Sequence, residues 1–481
     1  MSVVASLSAA EDWAQQQFGT VQLGDQRRTR RAVKVAAAMA ADPAASIPQQ
    51  NKLWKQTKGA YRLFDQQQVT YQAMIEPHWQ QTRAAAAQGQ VVLMVQDTTQ
   101  LDFSAHVATA GLGPLGQGRA LDGGQGMFLH STLAVELLST DGQAARVLGL
   151  AWSKLWSRDQ EPVPGGETHR QRRARPRESQ RWTEAVERIG APPPGGGLWV
   201  HVGDRESDIF ELYERCRRMP GVSFVIRSSQ PRGASVGHVR DSMQARVKTR
   251  LLEVARAMPA SGSKRLWVPP RGGRAAGRWA ELSVSGGAVT LWSPWHQSRT
   301  PRPLHCWAVR VWEQDAPAGV EPIEWVLLTA ERVATSADAL RVAGWYALRW
   351  TVEEYHKCLK SGCRVEQRQL ESASRLRPLI AMLSVVAVRL LQLKNDARID
   401  PDRPAHTCVA IESVRALAAL LDQRPQDLTL RRFTHEVAKL GGFLGRKSDR
   451  DPGWQTLWRG WRELDLITLG FHLASAPTRC G

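Results

Sequence analysis

The middle of the chain alternates apolar runs with polar turns, a pattern that predicts a buried sheet. Five runs are expected to be strands: VVLMVQDTT (91–99), HSTLAVELL (130–138), ARVLGLAWSKLW (145–156), LWVHVGD (198–204) and VSFVIRSS (222–229). Such short runs, rich in β-branched residues, are typical of strands buried on both faces. Helical patterns at 168–190 and 208–216 separate the later strands. The order therefore predicts an α/β layer with a mixed sheet.

Helical spacing dominates on both sides of this layer. Residues 10–70 predict basic helices, with Asp25 as an N-cap, and longer helices are predicted over 336–362 and 374–394. The tail, 399–481, is mostly helical in pattern, whereas 230–332 is rich in Gly, Pro and short strand-like runs. We therefore predict a helical N-terminal domain (1–70), a central domain (71–398) with a β-rich insertion at about 230–332, and a helical C-terminal domain (399–481).

The charge balance points to a polyanionic partner. The 481 residues contain 64 Lys and Arg against 46 Asp and Glu, a net charge of +18. Residues 226–278 alone carry twelve basic and two acidic residues, a net of +10. Nucleic acid is the usual partner of so basic a chain. A basic but otherwise ordinary enzyme, with solvated Arg-rich helix faces, is the alternative that charge alone leaves open.

Cysteine usage and apolar runs predict a cytoplasmic, intracellular protein. The six cysteines include no C-x-x-C pair and form no regular framework, which suits a reducing compartment and disfavours structural zinc. The N-terminus has no basic region typical of a signal peptide. The longest apolar stretch, 378–388, is too short to span a bilayer, so no membrane partner is expected.

Three carboxylates stand where they could share one site. Asp97 and Asp204 end two of the predicted buried strands, and active sites of open α/β sheets often lie at strand ends. Glu353 lies on a predicted helix in a polar stripe, which we define as Tyr346, Arg349, Glu353, Lys357 and Lys360, spaced at 3, 4, 4 and 3 residues. A salt-bridged, solvated helix face and turn-capping aspartates are the structural alternatives.

Carboxylates from separate segments suit Mg²⁺, which also takes oxygen ligands from water and substrate phosphates. Two such ions can hold the attacking and leaving oxygens of an in-line phosphoryl displacement. The chain has no Walker A motif, no G-x-G-x-x-G after a strand and no H-E-x-x-H. ATP hydrolysis, dinucleotide chemistry and zinc proteolysis are therefore not supported.

These residues resemble a known family. D-T-T at 97–99, D-R-E at 204–206 and Y-x2-R-x3-E-x6-K at 346–360 are similar to the motifs of DDE transposases of bacterial insertion sequences, and more closely of the family-four insertion-sequence transposases. The similarity extends from LGDQRRTRRAVKVA and KGAYRLFD through EPHW to RWTVEEYHKCLKSG and AVRLLQLKN. It implies an RNase H-like (retroviral-integrase-like) α/β catalytic core with a β-rich insertion, between helical N- and C-terminal domains.

The resemblance also implies roles for particular residues. Asp97, Asp204 and Glu353 would be the catalytic, metal-binding residues for two Mg²⁺ ions per site, with Mn²⁺ expected to substitute. Trp325 would stack on a flipped base, although a core aromatic is the structural alternative. The remaining DNA contacts implied are Tyr346, Arg349, Lys357, Lys360, Arg205, Arg27, Arg28, Arg30 and Arg62. The Gly/Arg-rich segment 269–278 matches no motif and is interpreted as a longer insertion loop.

The implied activity is cut-and-paste transposition in a bacterial, nucleoid-associated setting. Water would cut one strand at the transposon end, the freed 3′-OH would form a hairpin, and the reopened end would join target DNA. Terminal inverted repeats and target DNA would be the partners, and the active complex would be a homodimer with contacts in the C-terminal helices. An RNase H-like nuclease or resolvase and a non-catalytic DNA-binding relative are the alternative hypotheses.

Overall fold

The structure, a computed structural model, describes residues 10–51, 53–116, 124–139, 144–158, 177–239, 249–268, 277–294, 302–407, 409–446 and 451–475. The N-terminal part is helical, as predicted. Its helices are α1 (Ala10–Phe18), α2 (Gln26–Ala41), α3 (Ile47–Asn51) and α4 (Trp54–Phe64), followed by α5 (Tyr71–Ala86). Asp25 caps α2 as predicted, because its side chain accepts a hydrogen bond from the Arg27 amide at 2.8 Å.

One large mixed sheet forms the centre of the protein. Its strands are β1 (Val91–Asp102), β2 (Gly113–Pro114), β3 (Gln125–Leu137), β4 (Ala145–Trp156), β5 (Leu198–Gly203), β6 (Val222–Arg227), β7 (Ala234–Val236), β8 (Gly262–Val268), β9 (Arg278–Trp292), β10 (Pro303–Glu313) and β11 (Glu324–Thr329). Across the first half the order is β4-β3-β1-β5-β6. β3 is antiparallel to both β4 and β1, whereas β1, β5 and β6 are parallel. The five predicted strands are all present, and the sheet is mixed as predicted.

The predicted β-rich insertion extends this sheet instead of forming a separate one. β11 pairs antiparallel with β6, and β10, β9 and β7 follow outward, with β8 paired to β9. A short helix, α8 (Leu251–Ala257), packs on this extension. Most of the Gly/Arg-rich segment, 269–276, lies outside the described residues, as does the 168–176 part of the predicted Arg-rich helix. The described remainder of that helix is α6 (Gln180–Ile189), and α7 (Phe210–Arg218) follows β5.

The helix predicted over 336–362 is interrupted, so that prediction was wrong in part. The chain forms α9 (Ser336–Ala347) and α10 (Trp350–Lys357), and then one π-helical turn, Cys358–Gly362. Between α9 and α10 the amides of Leu348, Arg349 and Thr351 bond to carbonyls three residues back, which tightens the turn. The remaining helices are α11 (Ala373–Ile399), α12 (Ile411–Leu420), α13 (Leu430–Leu440) and α14 (Trp454–Ser475).

The main hydrophobic core joins the N-terminal helices to the sheet. Trp13 and Phe18 of α1, Val95 of β1 and Leu383 of α11 belong to the same buried cluster. Among the described residues α11 is the one helix with the length and apolar composition needed to cross a membrane, and 83% of its most apolar window is buried inside the protein. Its apolar surface is therefore used as core. A smaller cluster holds the C-terminal helices together.

Candidate active site

The first two carboxylates lie side by side where the pairing of β1 with β5 ends. β1 itself continues to Asp102 against β3, so the prediction that Asp97 ends its strand was wrong. β1 and β5 are parallel with Val95 opposite Val202, so Asp97 and Asp204, each two residues further on, are level with each other. The Asp204 side chain accepts a hydrogen bond from the Glu206 amide at 2.9 Å and thereby caps the short 3-10 turn Arg205–Ser207. We call Asp97 and Asp204 the carboxylate pair.

The ionised form of Asp204 is disfavoured at this position. Burial raises the pKa of Asp204, and the negative charge of Asp97 raises it further. Burial likewise raises the pKa of Glu206, with Asp204 and Asp97 adding to the shift. The negative charge of Asp97 thus disfavours ionisation of Asp204, an effect that a cation bound beside Asp204 would offset. The adjoining Glu206 carboxylate is bound by the Arg181 guanidinium of α6 at 2.7 Å.

The third carboxylate, Glu353, is on α10, which packs on β1. The Arg349 guanidinium binds it at 2.7 Å. Within the described part of the chain, no three His, Cys, Asp or Glu side chains converge closely enough to form a ready-made metal site. Glu353 would therefore have to leave Arg349 before it could share a cation with the carboxylate pair.

The polar stripe is partly buried. Tyr346 is 5% exposed, its hydroxyl is hydrogen-bonded to Arg227, and burial raises its pKa. The Trp325 ring contacts the Tyr346 ring edge to face, with centroids 5.2 Å apart. Tyr346 and Arg349 thus lie near enough to Asp204 to interact with its charge, and they in turn contact Trp325 and Glu353.

The two lysines of the stripe lie further along the same helix. Lys360, in the π-helical turn, forms an ion pair with Glu366 at 3.0 Å. The Lys357 ammonium lies 4.9 Å from the centre of the exposed Trp350 ring. Single π-helical turns are frequent at functional sites because they redirect the side chains that follow.

A series of hydrogen bonds fixes the two residues of β1 that flank Asp97. Arg181 Nε donates to Thr98 Oγ1 at 2.8 Å, and Thr98 Oγ1 is 2.8 Å from His130 Nδ1. Gln96 links His130 and His201, at 3.1 and 2.8 Å. Burial lowers the pKa of His201 to about 3 and that of His130 well below its usual range, so both rings are neutral. The chain holds Gln96 and Thr98, the two neighbours of Asp97, in fixed positions.

Sequence reasoning missed four side chains around the carboxylate pair: Arg181, Glu206, Arg227 and His356. His356 Nδ1 lies 3.7 Å from Asp97 Oδ2, and its other ring nitrogen lies 3.3 Å from Ser131 Oγ. His356 is three residues after Glu353, and Arg227 ends β6, so helical spacing and strand ends could have identified both. No local pattern marks Arg181, which reaches the site from α6.

The predicted N-terminal contacts lie on two neighbouring helices. Arg27 and Arg30 of α2 and Arg62 of α4 are exposed. Arg28 is half-buried and donates to the Leu23 carbonyl at 2.9 Å and to Gln68 at 3.1 Å. Arg205, at the turn after Asp204, is exposed as well. Arg28 therefore has a structural role in addition to the one predicted for it.

Residues 10–69 match the protein family described as transposase DNA-binding. The match covers α1 to α4, including the exposed Arg27, Arg30 and Arg62. It supports a transposase, and it supports DNA as the partner of these helices. The carboxylate pair, α10 and the rest of the sheet lie outside the matched residues, so the catalytic assignment depends on the geometry described above.

Proposed function

We propose that the protein is a DDE transposase of the family-four insertion-sequence type, which cuts transposon ends and joins them to target DNA. The observation that carries the proposal is the level placement of Asp97 and Asp204 beside the helix that bears Glu353, in a chain with a transposase DNA-binding domain. The strand order β4-β3-β1-β5-β6, antiparallel and then parallel, supports an RNase H-like core.

The donor set of this site fits Mg²⁺. Asp97, Asp204 and Glu353 supply only carboxylate oxygens, and the pKa of Asp204 is raised first by burial and then by the charge of Asp97, so a cation bound there would stabilise its ionised form. We propose that these three residues hold two Mg²⁺ ions, for which Mn²⁺ could substitute. When bound, the ions would lower the pKa of water and stabilise charge on the phosphate oxygens. Arg349 would release Glu353 and become free to bind a phosphate.

The remaining residues would hold the DNA strand. Arg349 caps the start of α10, Lys357 ends it, and Lys360 lies in the π-helical turn that follows, so the three cations lie along one continuous segment that could contact the phosphates of a backbone once Lys360 leaves Glu366. Tyr346 and the exposed Arg205 flank the same edge of the sheet. Trp325, half-buried against Tyr346, would stack on a base that leaves the duplex.

The proposed reaction alternates hydrolysis, in which water attacks a phosphodiester, with transesterification, in which a 3′-OH attacks one. Water attacks a phosphodiester at the transposon end and leaves a 3′-OH, which then attacks the opposite strand, releases the flank and closes a hairpin. Water reopens the hairpin, and the 3′-OH finally attacks target DNA in the same way. Two chains would each hold one terminal repeat in a homodimer, with contacts from 399–481.

The test uses a duplex that carries the element's own end and its flank, taken from the DNA beside the gene. With Mg²⁺ we expect a hairpin product on a denaturing gel, and we expect none when EDTA replaces the metal. Nicked ends that never become hairpins or joined products would instead indicate an RNase H-like nuclease. Tight binding without any cleavage in Mg²⁺ or Mn²⁺ would indicate a non-catalytic relative.

Trp325→Ala should slow hairpin formation more than the first hydrolytic nick. Stacking of a base on an aromatic ring contributes about 1–3 kcal/mol, so hairpin formation should slow by roughly 5-fold to 150-fold, while the first nick continues. The ratio of hairpin to nicked strand over time measures this. Trp312→Ala, on the neighbouring strand β10, is the matched control and should leave the ratio unchanged. An equal loss of both products would contradict a stacking role.

A further inference from the structure

Arg181 of α6 joins the two chain segments that carry the carboxylate pair. Its Nε atom donates to Thr98 Oγ1 at 2.8 Å, and its Nη2 atom donates to Glu206 Oε2 at 2.7 Å. Thr98 directly follows Asp97 on β1, and Glu206 lies two residues after Asp204, in the turn that Asp204 caps. One side chain therefore bridges both segments within one or two residues of the carboxylates.

This bridge lies where the backbone pairing of the two strands has already ended. The parallel register of β1 and β5 stops at Val95 and Val202, two residues before the carboxylate pair. Backbone hydrogen bonds between the strands therefore do not fix the distance between the two aspartates. The bridge through Arg181 ties the segments together just beyond that point, and it is made by side chains alone.

The Arg181 guanidinium is itself held in place. Its Nη1 atom donates to the Glu178 carbonyl at 2.8 Å, and its Cζ atom lies 5.8 and 5.6 Å from the ring centres of Trp156 and Trp182. The side chain is only 11% exposed. The donors of a guanidinium form a rigid planar fork. With all three nitrogens bonded, Arg181 cannot move toward one partner without losing another.

The bond to Thr98 also sets the direction of the hydrogen bonds that follow it. An arginine can only donate, so the Thr98 hydroxyl accepts from Arg181 and donates to His130 Nδ1. His130 Nε2 then donates to Gln96 Oε1, and Gln96 Nε2 donates to His201 Nδ1. Arg181 thus begins a series of bonds that reaches the residues on both sides of the first carboxylate.

We propose that Arg181 is a positioning residue, which holds Asp97 and Asp204 at the separation that the bound metal requires. Two metal ions that act on one phosphate lie about 3.5–4 Å apart, so the spacing of carboxylates from different strands decides how well both ions bind. Removing a residue that orients metal ligands from outside typically lowers metal affinity or activity by about 10–100-fold. The role of Arg181 rests on the proposed function for the identity of the metal and of the reaction.

Arg181→Met tests this role, because methionine keeps an unbranched apolar stem and removes every donor. Without DNA, the rise of the unfolding temperature with added Mg²⁺ measures metal binding, relative to the metal-free value of each variant. We expect the half-saturating Mg²⁺ concentration to increase roughly 10-fold or more. The Mg²⁺ concentration for half-maximal cleavage of the transposon end should increase by a similar factor, while end binding in EDTA stays at the wild-type level.

Thr98→Val shows whether Arg181 acts through β1. Valine keeps the branched shape of threonine but lacks the hydroxyl to which Arg181 donates. If Thr98 carries the effect, Arg181→Met should raise the half-saturating Mg²⁺ concentration by a clearly smaller factor in the Thr98→Val background than in wild type. Equal factors in the two backgrounds would overturn the proposal.

Arg188→Met is the matched control. Arg188 is an exposed arginine in the last turn of the same helix, α6. The substitution removes the same charge from the same helix, so its Mg²⁺ response and its cleavage should equal those of wild type. Circular dichroism and the metal-free unfolding temperature check that each variant is folded.

Two further results would overturn the positioning role. If Arg181→Met bound Mg²⁺ as wild type does but cleaved more slowly at saturating Mg²⁺, Arg181 would be a direct phosphate contact. A lower metal-free unfolding temperature with an unchanged Mg²⁺ response would restrict Arg181 to stabilising the fold. Cleavage of the transposon end by wild-type protein would still support the proposed function in both cases, whereas a wild-type protein that neither responds to Mg²⁺ nor cleaves would refute the proposed function itself.

Discussion

Asp204→Asn is expected to reduce cleavage of the transposon end by about 10³-fold or more, because it removes one of two carboxylates that the sheet holds level at the proposed metal site. Asparagine keeps the size of the side chain and one acceptor oxygen, so the cap on the Arg205–Ser207 turn can persist. End binding should remain, because the transposase DNA-binding match lies in residues 10–69. Asp97→Ala and Glu353→Ala should behave alike.

The stability of the same variant gives a readout that does not depend on activity. Burial and Asp97 raise the pKa of Asp204, which means that the ionised form is disfavoured in the folded protein. Without metal, Asp204→Asn should therefore unfold at the same temperature as wild type or higher. Added Mg²⁺ should raise the unfolding temperature of wild type and have less effect on the variant.

The control variant replaces an aspartate that lies far from the proposed metal site in the sequence. Asp427→Asn removes a surface partner of Arg424 in the C-terminal helical part, and its cleavage and metal response should equal those of wild type. Cleavage that survives in Asp204→Asn would refute the metal-binding role. A marked fall in its metal-free unfolding temperature would show that Asp204 serves mainly to hold its turn.

The end of an apolar run is a local feature, and it drew attention to Asp97 and Asp204. Asp204 does follow the last residue of β5, whereas β1 continues past Asp97 to Asp102, and the parallel pairing of β1 and β5 is what makes the two aspartates neighbours. Helical spacing similarly located Glu353 and Arg349, which bond to each other at i and i+4. The spacing could not show that the helix tightens at Leu348 and widens after Cys358, since those changes depend on packing against β1 and α11.

Contacts between distant segments were beyond the sequence pattern. Arg181 reaches Thr98 and Glu206 from a helix whose preceding residues carry no motif. The predicted N-terminal domain, 1–70, rests on helical spacing and basic charge, and it stays a prediction. Trp13 and Val95 belong to one hydrophobic cluster, so the N-terminal helices and the sheet share a core. A change in the number of charged residues along the chain shows where the surface changes, but it does not show which apolar side chains pack together in the core.

Arg368→Met is expected to lower the free energy of unfolding by about 3 kcal/mol, because three carbonyl acceptors lose a charged donor. Arg368 is 5% exposed, and its guanidinium donates to the Cys363 carbonyl at 2.8 Å and to the carbonyls of Pro43 and Ala45 in the loop between α2 and α3. Urea denaturation measures the loss. Arg364→Met, an exposed arginine four residues earlier, is the control and should cost little.

The same side chain should couple DNA binding to cleavage. Arg368 follows Lys360 by eight residues and donates to the loop after α2. Arg375 of α11 forms an ion pair with Asp65, after α4, at 2.6 Å. The segment after the polar stripe therefore contacts the N-terminal helical region at two points. Assayed at a temperature at which the variant is folded, Arg368→Met should bind the transposon end with unchanged affinity but cleave it more slowly. Cleavage equal to that of Arg364→Met, despite the lost stability, would restrict Arg368 to holding the fold together.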